Sequence, residues 1–463
     1  MYRIDPNSSK PLYLQLYEAL REEILHERKV GDRMPSIRSI VQQYRLSKTT
    51  VERAFAQLYA EGYIESRPKS GYYVAGMHQE ASGYVTRGRG ESEPELPWRF
   101  DFFPARLHRK EFPKRVWKRL QNRVIDSDDL DMGNYHEGQG EQGLREAIAR
   151  YLTNSRGVVC NADQILVTHG FADSMELLAR LLREDDHREY GIESPGYHMA
   201  HKVFASAGYR VEEIPVDKGG IDLQALRASK ATVVYITPSH HYPTGTVMPI
   251  SRRLELISLM AARGGYIIED DYDSELKYDT RPIPSLQGLD RHDCVIYLGT
   301  FAKSLSPALR VGYAVLPYPL LERYRRSYDR FFPRVSLLTQ KCLELFLSEG
   351  HYARHLRRIR TLQRKKHDRM KELFAQKLGA TYTILAEGGG LAILIMPSVP
   401  FDMERLRRRA REERIRLYFA RERSGGDFEA IRMGFGGFAL EELEEAVEAF
   451  AGIWRECLLT KEP

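Results

Sequence analysis

The sequence predicts an α/β protein in two units: a small module of three helices and a β-hairpin, then a large block in which short strands alternate with longer helices. Three observations carry that expectation. At 463 residues the chain is too long for one ordinary domain. From Gly76 to Pro97 it turns polar and loses periodicity, with Gly83, Gly88 and Gly90 among charged residues and Pro94 and Pro97 closing the stretch, the composition of a linker. Downstream, β-rich runs at Gln164–Thr168, Thr232–Thr237, Tyr266–Ile268 and Val295–Leu298 alternate with helical patterns such as Asp173–Leu182 and Arg252–Ala262, which argues for a sheet with helices on both faces. The expected boundaries are 1–75 for the first unit, 76–98 for the linker and 99–463 for the second.

Composition narrows the function classes. Apolar residues make up 42% of the chain, enough for large buried cores, and a net charge of +6 is compatible with nucleic acid without requiring it. Cys160, Cys294, Cys342 and Cys457 are scattered with no C-x-x-C spacing, so neither a zinc site nor a disulfide framework is expected, and a reducing compartment fits. The start of the sequence lacks an apolar signal core and no run of about twenty apolar residues follows, so the expectation is a soluble, cytoplasmic protein.

In the first unit, Leu12, Leu14, Leu16, Leu20, Ile24 and Leu25 mark a first helix between Pro11 and Leu25, and Gly31-Asp32-Arg33 breaks it. Ser36 can cap a second helix through Tyr44, and Ser47 a third through about Glu61, with Val51, Ala54, Phe55 and Leu58 at core spacing. That spacing leaves Lys48, Thr49, Thr50 and Arg53 outward, near the helix N-terminus, where a helix lying in a major groove meets base edges and phosphates. Tyr63–Val74 then reads as two short strands around a basic turn. The array Met34-Pro35-Ser36 with Arg38, Ser47 to Val51, Glu61-Gly62-Tyr63-Ile64 and Ser70-Gly71-Tyr72-Tyr73-Val74 resembles the winged helix-turn-helix of the GntR superfamily over residues 11–74. The resemblance implies Arg38, Lys48, Thr49, Thr50, Arg53 and Lys69 as contacts to double-stranded DNA; the alternative is a small helical oligomerisation domain with an ordinary hairpin.

In the large block the most informative residue is Lys303, which follows the apolar run Val295–Leu298 and precedes Arg310 by seven positions. A lysine there can form a Schiff base with an aldehyde, and an arginine offers a planar fork to a phosphate. Pyridoxal phosphate carries both groups. The segment Thr300-Phe301-Ala302-Lys303 with Arg310-Val311-Gly312-Tyr313 resembles the cofactor-lysine motif of fold-type I aminotransferases, which implies a large cofactor-binding domain with a smaller C-terminal α+β subdomain. Tyr266-Ile267-Ile268-Glu269-Asp270-Asp271-Tyr272-Asp273 is an apolar strand ending in carboxylates; a buried carboxylate there can pair with a protonated pyridine nitrogen. By resemblance Asp270 takes that role and Tyr272 bonds the ring hydroxyl, the competing reading being a divalent-cation cluster.

At Thr168-His169-Gly170-Phe171-Ala172 a strand meets a helix, and free amides at a helix N-terminus bind phosphate. The aminotransferase pattern places Gly170, Phe171 and Ala172 there beside Thr300 and Arg310, and Tyr197 on the pyridine ring. The loop Thr237-Pro238-Ser239-His240-His241-Tyr242-Pro243-Thr244-Gly245 resembles one that usually reads Asn-Pro-Thr-Gly; Tyr242 replaces the asparagine, and Ala302 lacks the hydroxyl many relatives carry before the lysine. Both departures point to relaxed selection for fast turnover. No metal site is expected from His240-His241, because adjacent loop side chains rarely converge on one ion. Tyr135-His136-Glu137-Gly138 resembles the segment that reaches into a partner subunit, implying a homodimer with Tyr135 near the other cofactor phosphate. Ala430-Ile431-Arg432-Met433-Gly434-Phe435 resembles the strand whose arginine holds an α-carboxylate, implying Arg432 as the effector clamp. In the basic run Arg354–Lys366, Leu356, Ile359 and Leu362 recur at helical spacing, so a long helix with a solvated face is expected rather than a nucleic-acid arm.

The order of these motifs resembles the MocR/GabR family of bacterial transcriptional regulators, a winged helix joined to an aminotransferase-like domain. The resemblance implies a regulator in which an amino compound, an amino acid above all, or pyridoxal phosphate itself is sensed at Lys303 and changes DNA engagement. The rival from a different class is a working aminotransferase with an accessory DNA-binding domain.

Overall fold

The computed structural model describes all residues except 1, 3, 7, 9, 69, 77–96, 185–186, 279–283, 329–334, 422–428 and 460–463. It divides into two compact units, Met1–Leu96 and Pro97–Pro463.

In the first unit α1 (Leu12–His26), α2 (Ile37–Tyr44) and α3 (Lys48–Ala60) precede an antiparallel hairpin of β1 (Ile64–Arg67) and β2 (Gly71–Val74). The two serine caps form: Ser36 accepts from the Ser39 amide and Ser47 from the Thr50 amide, each satisfying a donor that the first helical turn leaves free. One side of each helix builds the core, in which Leu16, Leu20, Ile40, Val51, Phe55 and Leu58 are closed to solvent and Ile64 and Val74 of the hairpin complete the seal.

The second unit opens with β3 (Phe100–Asp101), α4 (Lys114–Ile125) and α5 (Gln142–Arg156). An alternating series follows: β4 (Ile165–Thr168), α6 (Phe171–Glu184), β5 (Glu189–Ser194), α7 (His198–Ser206), β6 (Arg210–Asp217), β7 (Gly220–Ile221), α8 (Leu223–Ala228), β8 (Val233–Ile236), α9 (Ile250–Ala262), β9 (Tyr266–Asp270), α10 (Leu286–Leu289), β10 (Val295–Thr300) and β11 (Gly312–Val315). These strands form one sheet in the order β4-β11-β10-β9-β8-β5-β6-β7. Strands β10, β9, β8, β5 and β6 are parallel neighbours, while β11 runs against both β10 and β4. Separate apolar layers cover the two faces, one through α6 and α7 and one through α8 and α9. Both faces are buried, so the strands read as near-continuous apolar runs.

Beyond the sheet, α11 (Tyr318–Tyr328), α12 (Leu337–Ser348) and the long α13 (His351–Leu378) lead to a second sheet. It contains β12 (Tyr382–Ala386), β13 (Ala392–Pro397), β15 (Tyr418–Arg421) and β16 (Glu429–Gly434) in the order β12-β13-β16-β15, flanked by α14 (Met403–Glu412) and α15 (Leu440–Glu456). The short β14 (Ile415–Arg416) pairs with β3, so the segment that opens the unit is stitched to its C-terminal part. Strand β9 runs two residues past the expected Tyr266–Ile268, taking Glu269 and Asp270 into the sheet.

Phe55 has no solvent exposure and touches both helices and hairpin. Phe55→Ala is expected to cost about 3–5 kcal/mol in the first unit, raising amide exchange throughout residues 10–75 while leaving the second unit protected; hydrogen-exchange mass spectrometry distinguishes this from uniform loss.

Candidate functional site

The parallel strands all end on one side of the large sheet, where open α/β sheets place their ligands. A cavity of about 770 Å³ lies there, lined by Gly170, Phe171, Tyr197, Tyr242, Asp270, Tyr272, Thr300, Lys303, Arg310 and Arg432 among others. Ten of the twelve residues expected at the cofactor or effector site thus meet in one space. Ala172 does not line it, and Tyr135 sits apart on the surface, 74% exposed.

One end of the cavity is a basic cradle. Gly170 has φ +85° just before α6, and a Cβ there would lie 3.1 Å from Arg310 Nη2. Arg310 donates to the His169 carbonyl at 3.2 Å, which holds the guanidinium over the amide end of the helix. Free amides, the positive end of the helix dipole and an arginine together suit a phosphate-like anion. The Ala302 amide donates to Thr300 Oγ1, tying down the turn that carries Lys303.

The middle holds an acid and an amine. Asp270 is 6% exposed and accepts from Tyr235 Oη at 2.6 Å. Burial pushes its carboxyl up to about 7, helped by the nearby Asp271 and against the hydrogen bond from Tyr235 and the charge of Lys303. Lys303 Nζ stands 4.8 Å from the centre of the Tyr272 ring. Burial lowers its ammonium from 10.5 to about 8, with Asp273 and Asp270 working in the opposite sense. A buried carboxylate lacking a cation, facing an amine that is partly neutral, fits a ring carrying a basic nitrogen and a carbonyl.

The far wall comes from the C-terminal part. Arg432, on β16, holds its guanidinium 4.1 Å from the centre of the Tyr242 ring, and no carboxylate pairs with it among the described residues. Tyr242 makes edge contacts with Tyr197 at 5.2 Å and Tyr272 at 6.3 Å.

Sequence reasoning missed several lining residues. Tyr235 lies inside an apolar run and reads as core; Phe103, Arg106, Tyr418 and Phe419 come from segments distant in sequence. His240, though not among the lining residues, places its Nδ1 2.8 Å from Asp273 Oδ2 and beside Tyr272. Burial works to raise Asp273, but His240 together with the Lys303 and Lys277 ammoniums outweighs it and holds the carboxyl below its usual range. His241 turns elsewhere, to Thr244 Oγ1 at 2.7 Å, and burial pushes its imidazole down to about 3.

In the first unit Arg38, Lys48 and Thr49 are exposed and Thr50 is half-buried, with its hydroxyl 2.7 Å from Ser47 Oγ. Arg53 is exposed as well, and its guanidinium stacks 4.3 Å from the Tyr13 ring on α1. Lys69 lies outside the described residues.

Two family models match the chain: "Bacterial regulatory proteins, gntR family" over residues 12–74, and "Aminotransferase class I and II" over residues 105–450. The HTH-type transcriptional regulator YdeL of Bacillus subtilis is 35% identical, covering 96% of this chain and 97% of its own. The probable rhizopine catabolism regulatory protein MocR of Rhizobium meliloti is 35% identical over 85% of this chain and 83% of its own. Among solved structures, the α-aminoadipate aminotransferase LysN of Thermus thermophilus, complexed with N-(5'-phosphopyridoxyl)-L-leucine, superposes with a TM-score of 0.67 at 24% identity, over 77% of this chain and 92% of that one. That likeness concerns the fold.

The position of Lys303 among its neighbours gives a pH test. In protein freed of bound aldehydes, reductive methylation at graded pH is expected to label Lys303 with a midpoint near 8, well below the usual lysine value of 10.5. Asp273→Asn should move that midpoint lower, because the carboxylate favours the ammonium form. Peptide mass spectrometry reads both; a midpoint unmoved or raised in the variant contradicts the assignment.

Proposed function

Because the chain belongs to the MocR/GabR family of HTH-type transcriptional regulators, a GntR winged helix joined to an aminotransferase class I and II domain, we propose that it binds pyridoxal phosphate at Lys303 and senses an amino acid there. The observation that carries this reading is the convergence of three complementary groups on one cavity: the Gly170–Arg310 cradle, the Asp270–Lys303 pair and the unpaired Arg432. When bound, the cofactor supplies an aldehyde carbon open to attack by amines and a ring that withdraws electrons.

The chain's own groups divide the work. Arg310 and the amides at the start of α6 hold the phosphate, Asp270 accepts a proton-bearing ring nitrogen and becomes fully anionic in doing so, and Tyr197 and Phe171 cover the ring. Lys303, with its ammonium lowered to about 8, supplies a neutral amine at moderate pH and a proton acceptor once displaced. Arg432 receives the carboxylate of the incoming amino acid through two parallel N–H donors. For sensing, this ligand must favour one of two arrangements of the protein, and the winged helices of a homodimer must differ in DNA affinity between them.

The second reading, a working aminotransferase, is favoured by the complete Lys303, Asp270 and Tyr272 set. Borohydride reduction of the cofactor-loaded protein is expected to leave the label on Lys303 and on no other lysine. Titration with amino acids should then shift the absorbance spectrum and change DNA affinity with little turnover, and Arg432→Ala should weaken the response to a carboxylate-bearing amine by about tenfold to a hundredfold. Sustained turnover with an amino acid and a keto acid, without any effect on DNA binding, would place the protein in the enzyme class.

DNA affinity should fall steeply with salt through counterion release. Arg38→Ala with Lys48→Ala should reduce the slope of log affinity on log salt by about two, whereas Arg53→Ala should change it less, since that guanidinium rests on Tyr13. Equal effects from all three, measured by fluorescence anisotropy, would show that Arg53 leaves Tyr13 on binding.

A further inference from the structure

Away from the cavity the second unit concentrates charge on two helices. The stretch from Glu111 through α4 runs beside the first half of α13 in the opposite direction. Arg358 Nη2 donates to the Glu111 carbonyl at 2.5 Å just before α4, and Arg119 Nη2 lies 3.3 Å from His351 Nε2 at the start of α13. Each helix buries one side: Leu120 and Val124 of α4, and Tyr352, Leu356 and Ile359 of α13. The opposite sides are therefore outward, and α12 packs against both helices. α4 presents Lys114, Arg115, Lys118 and Arg119 there, all exposed. α13 presents Arg354, Arg357, Arg358 and Lys365, also exposed, at the i, i+3, i+4, i+11 spacing of one stripe.

This charge is not cancelled locally. α4 contains no acidic residue and α13 none before Asp368. The nearest carboxylates are engaged elsewhere, Glu111 buried against Lys366 at 2.5 Å and Glu349 with Arg123 at 2.6 Å. Arg354 and Arg358 donate to backbone carbonyls, which orient their head groups and leave the charge intact. Among the described residues no carboxylate pairs with any of the eight. Lys114 and Lys118, Arg115 and Arg119, and Arg354 and Arg358 are like-charge i,i+4 pairs, an arrangement disfavoured on a helix unless an anion offsets it. The acidic run Asp126–Asp131 lies past the C-terminal end of α4 and bounds the surface there.

We propose that this surface binds the phosphate backbone of duplex DNA, as a contact additional to the one made by α3. From Arg354 to Lys365 the stripe spans about 16 Å of helix, the axial length that carries about nine phosphate charges in a duplex. Phosphate contacts need cations at loose spacing and no shaped pocket, and no large apolar side chain is exposed between Lys114 and Arg119 or between Arg354 and Lys365 to bury against a protein or a lipid surface. The DNA-reading unit is part of the same polypeptide, so duplex held by one unit is at high local concentration for the other. The basic stretch is thus a helix, and its solvated face is one half of a polyanion-binding surface that α4 completes.

The test uses full-length protein and labelled random-sequence duplex DNA, titrated at graded salt. Wild type is compared with Arg115→Gln/Lys118→Gln/Arg357→Gln/Lys365→Gln, four exposed substitutions that leave α3 and the cavity untouched. The slope of log affinity on log salt is expected to fall by about two to four, with a loss of affinity of about tenfold or more at low salt. The same four substitutions on an Arg38→Ala/Lys48→Ala background should deepen the loss. Unchanged slope and affinity overturn the proposal. So does a loss that tracks lost self-association in sedimentation velocity at unchanged circular dichroism, which assigns the surface to a second copy of the chain.

Discussion

Three consecutive carboxylates at the end of a buried strand are the constraint on which this site depends. Side chains alternate along β9, so Glu269 and Asp271 face one side of the sheet and Asp270 the other. Glu269 accepts from the Leu286 and Gln287 amides at the start of α10. Asp271 is closed off by Arg156 at 2.6 Å and the Tyr297 hydroxyl at 2.6 Å. A buried charge must be neutralised or paired, and of the three only Asp271 meets a cation among the described residues. Asp270 accepts from the Tyr235 hydroxyl and faces the cavity, and burial pushes its carboxyl, like that of Glu269, up to about 7. The cavity is where the missing positive partner belongs, and Lys303, Tyr272 and the Arg310 cradle are arranged around it.

The fold was legible where local chemistry decides it. Ser36 and Ser47 cap helices because their hydroxyls meet amides that nothing else can satisfy, and this reads directly from the order of residues. The buried carboxylates at the end of β9 were legible as such, and the strand runs two residues past its apolar run because Glu269 and Asp270 find their partners elsewhere in the chain. Such distant partners explain the unread lining residues. Tyr235 looks like any aromatic in a buried strand until Asp270 is placed beside it, and Phe103, Arg106 and Tyr418 enter through the pairing of β3 with β14, a contact between segments more than 300 residues apart. Arg53 was placed outward by helical spacing, which is correct, but spacing carries no information about Tyr13 on a neighbouring helix.

Tyr242 is the departure with the clearest physical consequence. An asparagine would offer an amide to the ring hydroxyl of a cofactor; the tyrosine offers Arg432 an aromatic face at 4.1 Å. A cation held over a ring is retained by about 0.5–2 kcal/mol, whereas separating a buried ion pair costs about 3–5 kcal/mol. Arg432 is therefore kept in place without being neutralised, and a ligand carboxylate can take it without first displacing an anion. Such an arrangement favours reversible capture of a carboxylate over tight organisation of the ring, a balance suited to a sensor more than to a fast catalyst.

The two walls of the cavity belong to different cores. Asp270, Lys303 and the start of α6 are borne by the eight-stranded sheet, while Arg432 lies on β16 between Ile431 and Met433, which are buried in the separate core of the C-terminal part. α13 spans both, with Tyr352 and Leu356 packed in one core and Ile359 to Leu378 in the other. A ligand touching Lys303 and Arg432 together thus has a binding energy that depends on how the two cores are placed, the physical requirement for shifting a population of states. Phe100 and Phe102 also pack in the C-terminal core, and the segment they open supplies Phe103 and Arg106 to the cavity wall. That segment begins three residues after Pro97, where the second unit starts. The part of the cavity lining nearest in sequence to the first unit thus follows directly on residues packed in the same core as the neighbours of Arg432, the proposed carboxylate clamp.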